Sequence, residues 1–315
     1  MPGLLAVFEK ELADHLGSRR YSILFTLICL AGLSATYVAG QSIREAVGTG
    51  EDPEFVFLLL FTASTGVLPP FVSFVTFLGP LAGLALGFDA INSERASGTM
   101  SRVLSQPVHR DSFINGKFLA GLTTVALMLA CIMLILGGLG LLMIGIPPTG
   151  EEIVRLIAYY LISVVYVAFW MALAILFSTV FHQGATSALA GIAIWILVAF
   201  FMPMIAGVVA NAAYPLNEYS DVSVAVNNQN LQQAVSRISP SQLYLEASEL
   251  TLSPNSRWTT GTPILVSQVI GMVKAPLPVG QSLLLVWPQI TGLIGLTVIC
   301  FAIAYTSFMG EEIRA

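Results

Sequence analysis

Six apolar runs, at residues 21–40, 67–88, 118–145, 155–181, 185–210 and 283–308, constrain this chain more than any other feature. About 20 residues of α-helix rise about 30 Å, the thickness of a bilayer's hydrocarbon core. Inside that layer backbone polar groups find no water, so each run has to satisfy its own hydrogen bonds as a helix. The expected fold is therefore all-α, an integral membrane protein with six transmembrane helices. Composition agrees: 56% of the 315 residues are hydrophobic, only 10% are charged, and mean hydropathy is +0.83. A soluble domain carries about one-quarter charged residues. The first run continues for a full membrane thickness without an A-x-A-like end, so it is expected to stay as a span rather than be cleaved.

The segments between the runs divide the chain further. In residues 1–20, Leu4, Leu5, Phe8, Leu12 and Leu16 recur at helical spacing, with Glu9, Lys10, Glu11 and Asp14 on the other face. This pattern suits an amphipathic helix lying on the membrane surface, or one packed against protein. Residues 55–66 are apolar but too short to cross, and lead through Pro69 and Pro70 into the second span. The stretch 21–210 then holds five spans and a polar loop at 89–117, and 283–315 holds the sixth span and a tail. Residues 211–282 form the one sizeable piece expected outside the membrane, with amphipathic stretches at 228–250 and 263–273. The first of these reads as two helices broken at Pro240, with Ser239 or Ser241 as a cap.

Charge sets the expected sidedness. Six spans put both termini on one side, and that side would carry Lys10, Arg19, Arg20, Arg95, Arg102, Arg110, Lys117 and Arg314. Arg44, Arg155, Arg237, Arg257 and Lys274 fall on the other side, mostly in the long loop where charge has less weight. Both termini and the 89–117 loop are thus expected to be cytoplasmic.

Several chemistries are disfavoured. The spans hold almost no ionisable side chains, whereas ion-coupled carriers usually need them within the membrane. G-x-x-x-x-G-K-[ST] is absent, as are H-E-x-x-H and G-x-S-x-G, and His15, His109 and His182 lack metal-ligand spacing. Cys29, Cys131 and Cys300 lie inside apolar runs and imply no disulfide framework. Neither catalysis nor a bound cofactor or metal is expected of this chain. Gly137, Gly138, Gly140 and the Gly79–Gly87 cluster permit close helix approach, within the subunit or at a dimer seam.

The polar loop remains to be explained. Thr99 can cap a short helix from Met100 to Ser105, with Met100, Val103 and Leu104 on one side, before Pro107 limits it. Asp111 or Ser112 can cap the third span. An ordinary charged loop that enforces topology and a docking element for a partner both fit this pattern.

The order FD, Glu94, Gly98-Thr99, LSQPVHR at 104–110 and Gly116-Lys117-Phe118 resembles the permease subunits of ABC-2-type exporters. So does the opening FEKEL at 8–12 before a basic pair. The segment ISPSQLYLEA at 238–247 is similar to the branch of that family containing the nitrous-oxide reductase maturation permease. The resemblance implies a type V exporter architecture, with an interfacial elbow helix and six spans in a cell inner (cytoplasmic) membrane. It implies a coupling helix at 96–106 that fits a separate ATPase, which would hold the ATP and Mg²⁺. By the same resemblance Glu94, Arg95, Gly98, Thr99, Met100, Arg102, Val103 and Leu104 would serve ATPase coupling. His182, in the turn Phe181–Gln183, would make a second contact, although a lone histidine in such a turn is more often only a polar helix-end residue. The implied assembly is a homodimer or a paralogue heterodimer of permeases with its ATPase, in membrane lipid, with an extracytoplasmic partner as a further possibility and no nucleic acid. A mechanotransmitting subunit acting on an external partner, and an ATP-independent channel or carrier, are the alternatives.

Overall fold

A computed structural model of the protein describes residues 2–48, 55–63, 68–98, 109–216, 221–253 and 277–310, which contain helices and no strand. In chain order these are α1 (Pro2–Leu16), α2 (Arg19–Gly48), α3 (Val56–Thr62), α4 (Phe71–Gly87), α5 (Asn92–Ala96), α6 (Arg110–Ile144) and α7 (Gly150–Val180). They continue with α8 (Gly184–Ile196), a π-helical turn (Leu197–Phe201), α9 (Met202–Ala213), α10 (Val222–Ser236), α11 (Pro240–Leu252) and α12 (Val279–Met309). Six helices are long and apolar enough to cross a membrane, namely α2, α4 with its extension, α6, α7, the continuous α8 to α9 unit, and α12. The protein is an all-α, multi-pass membrane protein, as the apolar runs require.

The first helix and the end of the last lie at one end of the bundle, here called proximal. Val7 of α1 meets Gly116 near the start of α6, and Phe113 stacks on Phe308 of α12 with centroids 5.8 Å apart. The expected third span starts eight residues early, because α6 begins at Arg110. His109 occupies its N-cap position without a side-chain bond, so neither Asp111 nor Ser112 caps it, although Asp111 lies in the first turn. There its carboxylate suits the positive helix end.

The most enclosed span is α7, whose Tyr159, Tyr166 and Trp170 are fully buried. Helix α4 packs on it through glycines spaced by four. A Cβ on Gly83 would fall 2.6 Å from the Val167 carbonyl oxygen, and one on Gly87 2.7 Å from that of Met171. Backbone thus touches backbone, and Gly79, Gly83 and Gly87 serve packing within the subunit. Gly140 likewise faces Leu60 of α3, whereas Gly138 faces open space.

Pro80 lies one residue beyond Gly79 and has no N–H for the carbonyl of Thr76. The Tyr166 hydroxyl donates to that carbonyl at 2.8 Å, so the proline's cost to α4 is offset by the helix packed beside it. Pro203 similarly follows the π-helical turn, where Met202 N–H reaches back to the Leu197 carbonyl.

At the distal end, Gly145 ends α6 at φ 76°, a left-handed conformation that favours glycine. Thr149 and Glu152 then form a reciprocal cap on α7. The other Glu152 oxygen accepts from Phe57 N–H at 2.9 Å, so one carboxylate caps both α7 and α3.

Sequence reasoning places 211–282 outside the spans, but α11 does not stand apart from them. It is buried against α7, α12 and α4, with Tyr244 stacked on Tyr166 at 4.3 Å. The break at Pro240 is where expected, and Ser239 takes the N-cap position without a side-chain bond. Helix α10 runs back along α9, and Asn228 donates to Asn211 and to the Tyr214 carbonyl. The turn between α10 and α11 therefore reaches the middle of α7, where Ser241 meets Tyr166. The expected stretch at 263–273 lies outside the described residues.

Gly83→Val would push a branched side chain into immovable backbone of α7. It is expected to destabilise the protein by about 1–3 kcal/mol, read as a lower midpoint in thermal unfolding of the detergent-purified chain.

Candidate functional site

The proximal end holds a compact ionic cluster built from three segments far apart in sequence. Lys117 on α6, 4% exposed by side chain, donates to Glu11 of α1 at 2.7 Å and lies 3.7 Å from Glu94 of α5. Lys10 reaches the same two carboxylates at 3.2 and 3.3 Å. Burial lowers the Lys10 pKa, but Glu11 and Glu94 more than offset this and leave it above its ordinary value. A buried charge is tolerated when it is paired and hydrogen-bonded. Here each carboxylate meets two ammonium groups.

Two further contacts fix α5. The Ser178 hydroxyl near the end of α7 accepts from the N–H groups of Ile91 and Asn92 at 3.0 and 3.2 Å. Arg95 sends its guanidinium to the Ser178 and Thr179 carbonyls at 3.4 and 3.1 Å. The last carbonyls of a helix lack intrahelical donors and attract positive charge. Outside these, Arg20 pairs with Asp89 at 2.5 Å and covers the Phe88 ring. Gly98 then ends the short helix at φ 67°, its N–H donating to the Arg95 carbonyl.

Glu94, Arg95 and Gly98 thus form the base from which the polar loop departs. Thr99, Met100, Arg102, Val103 and Leu104, with the helix expected there, lie outside the described residues. The Glu94 carboxylate is paired within the chain, with Lys10 and Lys117. His182 is exposed in the turn between α7 and α8, and the neighbouring Gly184 places that turn beside Phe88, Asp89 and Asn92. Turn and loop base therefore share one surface. Helix α1 packs along α6 rather than only along a membrane surface, while Leu5 and Leu16 remain exposed.

Two buried polar centres lie at and towards the distal end, built around Arg155 and Glu246. Arg155, fully buried, pairs with Glu151 at 2.8 Å and donates to the Thr251 carbonyl, the Ser282 hydroxyl and the Leu277 carbonyl. One guanidinium joins α7 to the end of α11 and the start of α12. Glu246 of α11, also fully buried, accepts from Arg237 at 2.9 Å and from Gln289 of α12 at 3.1 Å. The i, i+4 pair Glu151–Arg155 was visible in the sequence, but its partners come from more than ninety residues away. Among the described residues no cluster of histidine, cysteine and carboxylate could hold a metal ion.

Residues 5–313 match the family described as ABC-2 family transporter protein. The chain belongs to that family. Among curated proteins, it is 30% identical over 160 residues to a probable ABC transporter permease protein NosY of Pseudomonas aeruginosa, covering 50% of this chain and 52% of that one. A protein of the same description from Stutzerimonas stutzeri is 31% identical over 147 residues, 47% of each chain. The chain spans about half the length of the curated relatives it matches.

Within an ABC-2 family bundle of this kind, the cluster around Lys117 joins the first helix, the loop after the second span and the start of the third. Lys117→Met leaves Glu11 and Glu94 without their most buried partner and is expected to cost about 3–5 kcal/mol. Combining it with Glu11→Gln and Glu94→Gln is expected to recover most of that loss in the same thermal-unfolding measurement.

His15 on α1 supplies a pH dependence. Burial pushes its pKa below the ordinary 6.5, and Lys117 adds to this while Glu11, Asp89 and Asp14 oppose it. A lowered value means that the docked helix favours neutral imidazole. Its docking stability is full above about 6.5 and falls as pH drops from there through the docked value. Protection factors of the α1 amides, corrected for the slower intrinsic exchange at lower pH, should therefore fall on acidification over that window, and a His15→Gln variant should lose this component.

Proposed function

We propose that this chain is the transmembrane permease subunit of an ATP-binding cassette exporter, driven by a separate ATPase that binds the ATP and Mg²⁺. The observation carrying this reading is the family match along nearly the whole chain, combined with a rigid ionic base at the loop between the second and third spans. In this reading the proximal end is cytoplasmic, as the distribution of basic residues favours, and the membrane is the inner one. Thr99, Met100, Arg102, Val103 and Leu104 dock on the ATPase. Glu94 and Arg95 act behind them, tying the docking segment to α1, α6 and α7 so that a push on the loop moves whole helices. His182 adds a contact from the adjacent turn. Two permeases, identical or paralogous, pair around the pathway.

One structural feature favours a second reading, in which ATPase motion is passed to an extracytoplasmic partner without movement of a substrate. The α10–α11 hairpin is bound to α7 and α12 through Arg155 and Glu246, so displacement of those spans would carry the hairpin with them.

Pull-down of the tagged permease from mild detergent is expected to recover an ATPase and ATP hydrolysis. Arg102→Glu and Met100→Asp are expected to reduce recovery at least about tenfold, the factor that 1.4 kcal/mol of lost binding supplies. Unchanged recovery with both variants would show the docking surface to be wrong. ATP-dependent substrate movement in sealed vesicles, against its absence with hydrolysis intact, separates the export and mechanical readings.

A further inference from the structure

Asn228 of α10 bonds to Asn211 of α9, and the Gln232 amide nitrogen lies over Gly207, 3.9 Å from where a Cβ would stand. The two helices are therefore antiparallel, and α10 descends alongside the span instead of leaving it. In this register Ala234 is level with Ile205, and Arg237, the residue that ends α10, is level with Met202. The helix between Met202 and the distal end of the span at Ala213 measures about 16 Å. A second route gives the same depth. The Glu246 carboxylate that holds Arg237 also accepts from Gln289, which lies about 15 Å along α12 from its start at Val279.

At that depth the exposed face of α9 is what hydrocarbon demands, with Met204, Ile205 and Val208 66%, 45% and 70% exposed. On α10 the exposed residues Ser223, Asn227, Asn230, Ala234 and Arg237 recur at helical spacing and form one face without a bulky apolar side chain. Arg237 closes it with 40% of its side chain exposed, while its partner Glu246 is wholly enclosed. An exposed guanidinium within the hydrocarbon layer is costly, and such charges face the inside of a bundle or a water-filled space. Arginine commonly escapes by snorkelling to the head groups. Here Glu246 holds the guanidinium at its depth, through Nε at 2.9 Å. That contact leaves the two terminal nitrogens of the fork without a bond to any described residue. Water or a polar ligand has to complete them. A planar fork of N–H donors matches the oxygens of a carboxylate, phosphate or sulfonate.

We infer that the exposed face of α10 borders a water-filled recess within the membrane layer, and that Arg237 at its inner end binds an oxyanion, the carboxylate, phosphate or sulfonate group of a ligand. The inference needs only that the chain spans a bilayer. ATPase recovery plays no part in it, so its failure and that of the exporter reading are distinguishable.

The test places the chain in phosphatidylcholine nanodiscs, with Cys29, Cys131 and Cys300 replaced by alanine and one of Ala234→Cys, Asn230→Cys or Val208→Cys introduced. Labelling rates are measured with a sulfonate-bearing and a trimethylammonium-bearing methanethiosulfonate. Thiols react as thiolates, which form in water and not in hydrocarbon, so Ala234→Cys and Asn230→Cys are expected to react at least about tenfold faster than Val208→Cys. A positive charge within one helical turn attracts one reagent and repels the other, so the sulfonate-to-trimethylammonium ratio at Ala234→Cys is expected to exceed that of free cysteine about threefold. Arg237→Gln combined with Glu246→Gln removes both charges of the pair and is expected to abolish this excess, with a monodisperse elution profile as the check on folding. Inorganic phosphate, against chloride at equal ionic strength, is expected to slow the sulfonate reagent at Ala234→Cys relative to Asn230→Cys with Arg237 in place. This measurement decides the matter if the double variant does not fold. Phosphatidylglycerol in the nanodisc is the lipid counterpart: slowing by it alone assigns the oxyanion to a lipid head group, and slowing by phosphate assigns a soluble anion, either of which sustains the site. Equal rates at Ala234→Cys and Val208→Cys would overturn the recess. An unchanged ratio in the double variant, or slowing by neither phosphate nor phosphatidylglycerol, would overturn the binding site.

Discussion

The direct contact of α4 on α7 through Gly83 and Gly87 sets the arrangement of the rest. No hydrophobic effect drives two apolar helices together inside a bilayer, because lipid chains are as apolar as leucine. Close packing has to supply the attraction, and removal of side chains at every fourth position brings the two backbones into contact. Once they touch, the Tyr166 hydroxyl falls at the carbonyl that Pro80 cannot serve, and the Ser178 hydroxyl falls at the amide groups that open α5. Two irregular points of one helix are thereby completed by its neighbour.

Charge follows the same economy. Lys117, Arg155 and Glu246 are almost wholly buried, and each joins elements distant in the chain. Removal of one partner from such a group leaves an uncompensated charge, so these sites are unforgiving and hold their elements in one register. The proximal cluster makes α1, α5 and the start of α6 one body. The two remaining centres do the same for the hairpin, α7 and α12. A force applied at the polar loop would meet a rigid base, and a displacement of α7 or α12 would arrive at the hairpin without slack.

Much of this was legible beforehand. The six spans, the helix at the start, the short helix before the second span and the break at Pro240 follow from run length, periodicity and proline position. The loop after the second span was visible as a dense polar island, and the family could be read from its motifs. What was not legible was the direction in which its charges point. The sequence leaves the partners of Glu94 open, because they lie 84 residues before it and 23 after it. The packing of helix α11 is hidden for a related reason. Its Ser241 and Glu246 look like surface composition, and only their pairing with Tyr166 and Gln289, beside the Tyr244 hydroxyl on Ser163 and Tyr159, permits burial.

The sequence by itself determined that the chain crosses a membrane as six helices and belongs to a transporter family. Both follow from local information, run length in the first case and the order of short motifs in the second. The tertiary structure alone decided which glycines pack within the subunit, which charges neutralise one another, and that a polar hairpin lies among the spans. Those outcomes depend on pairings between remote segments, and a polar side chain carries the same letter whether water or a distant partner satisfies it.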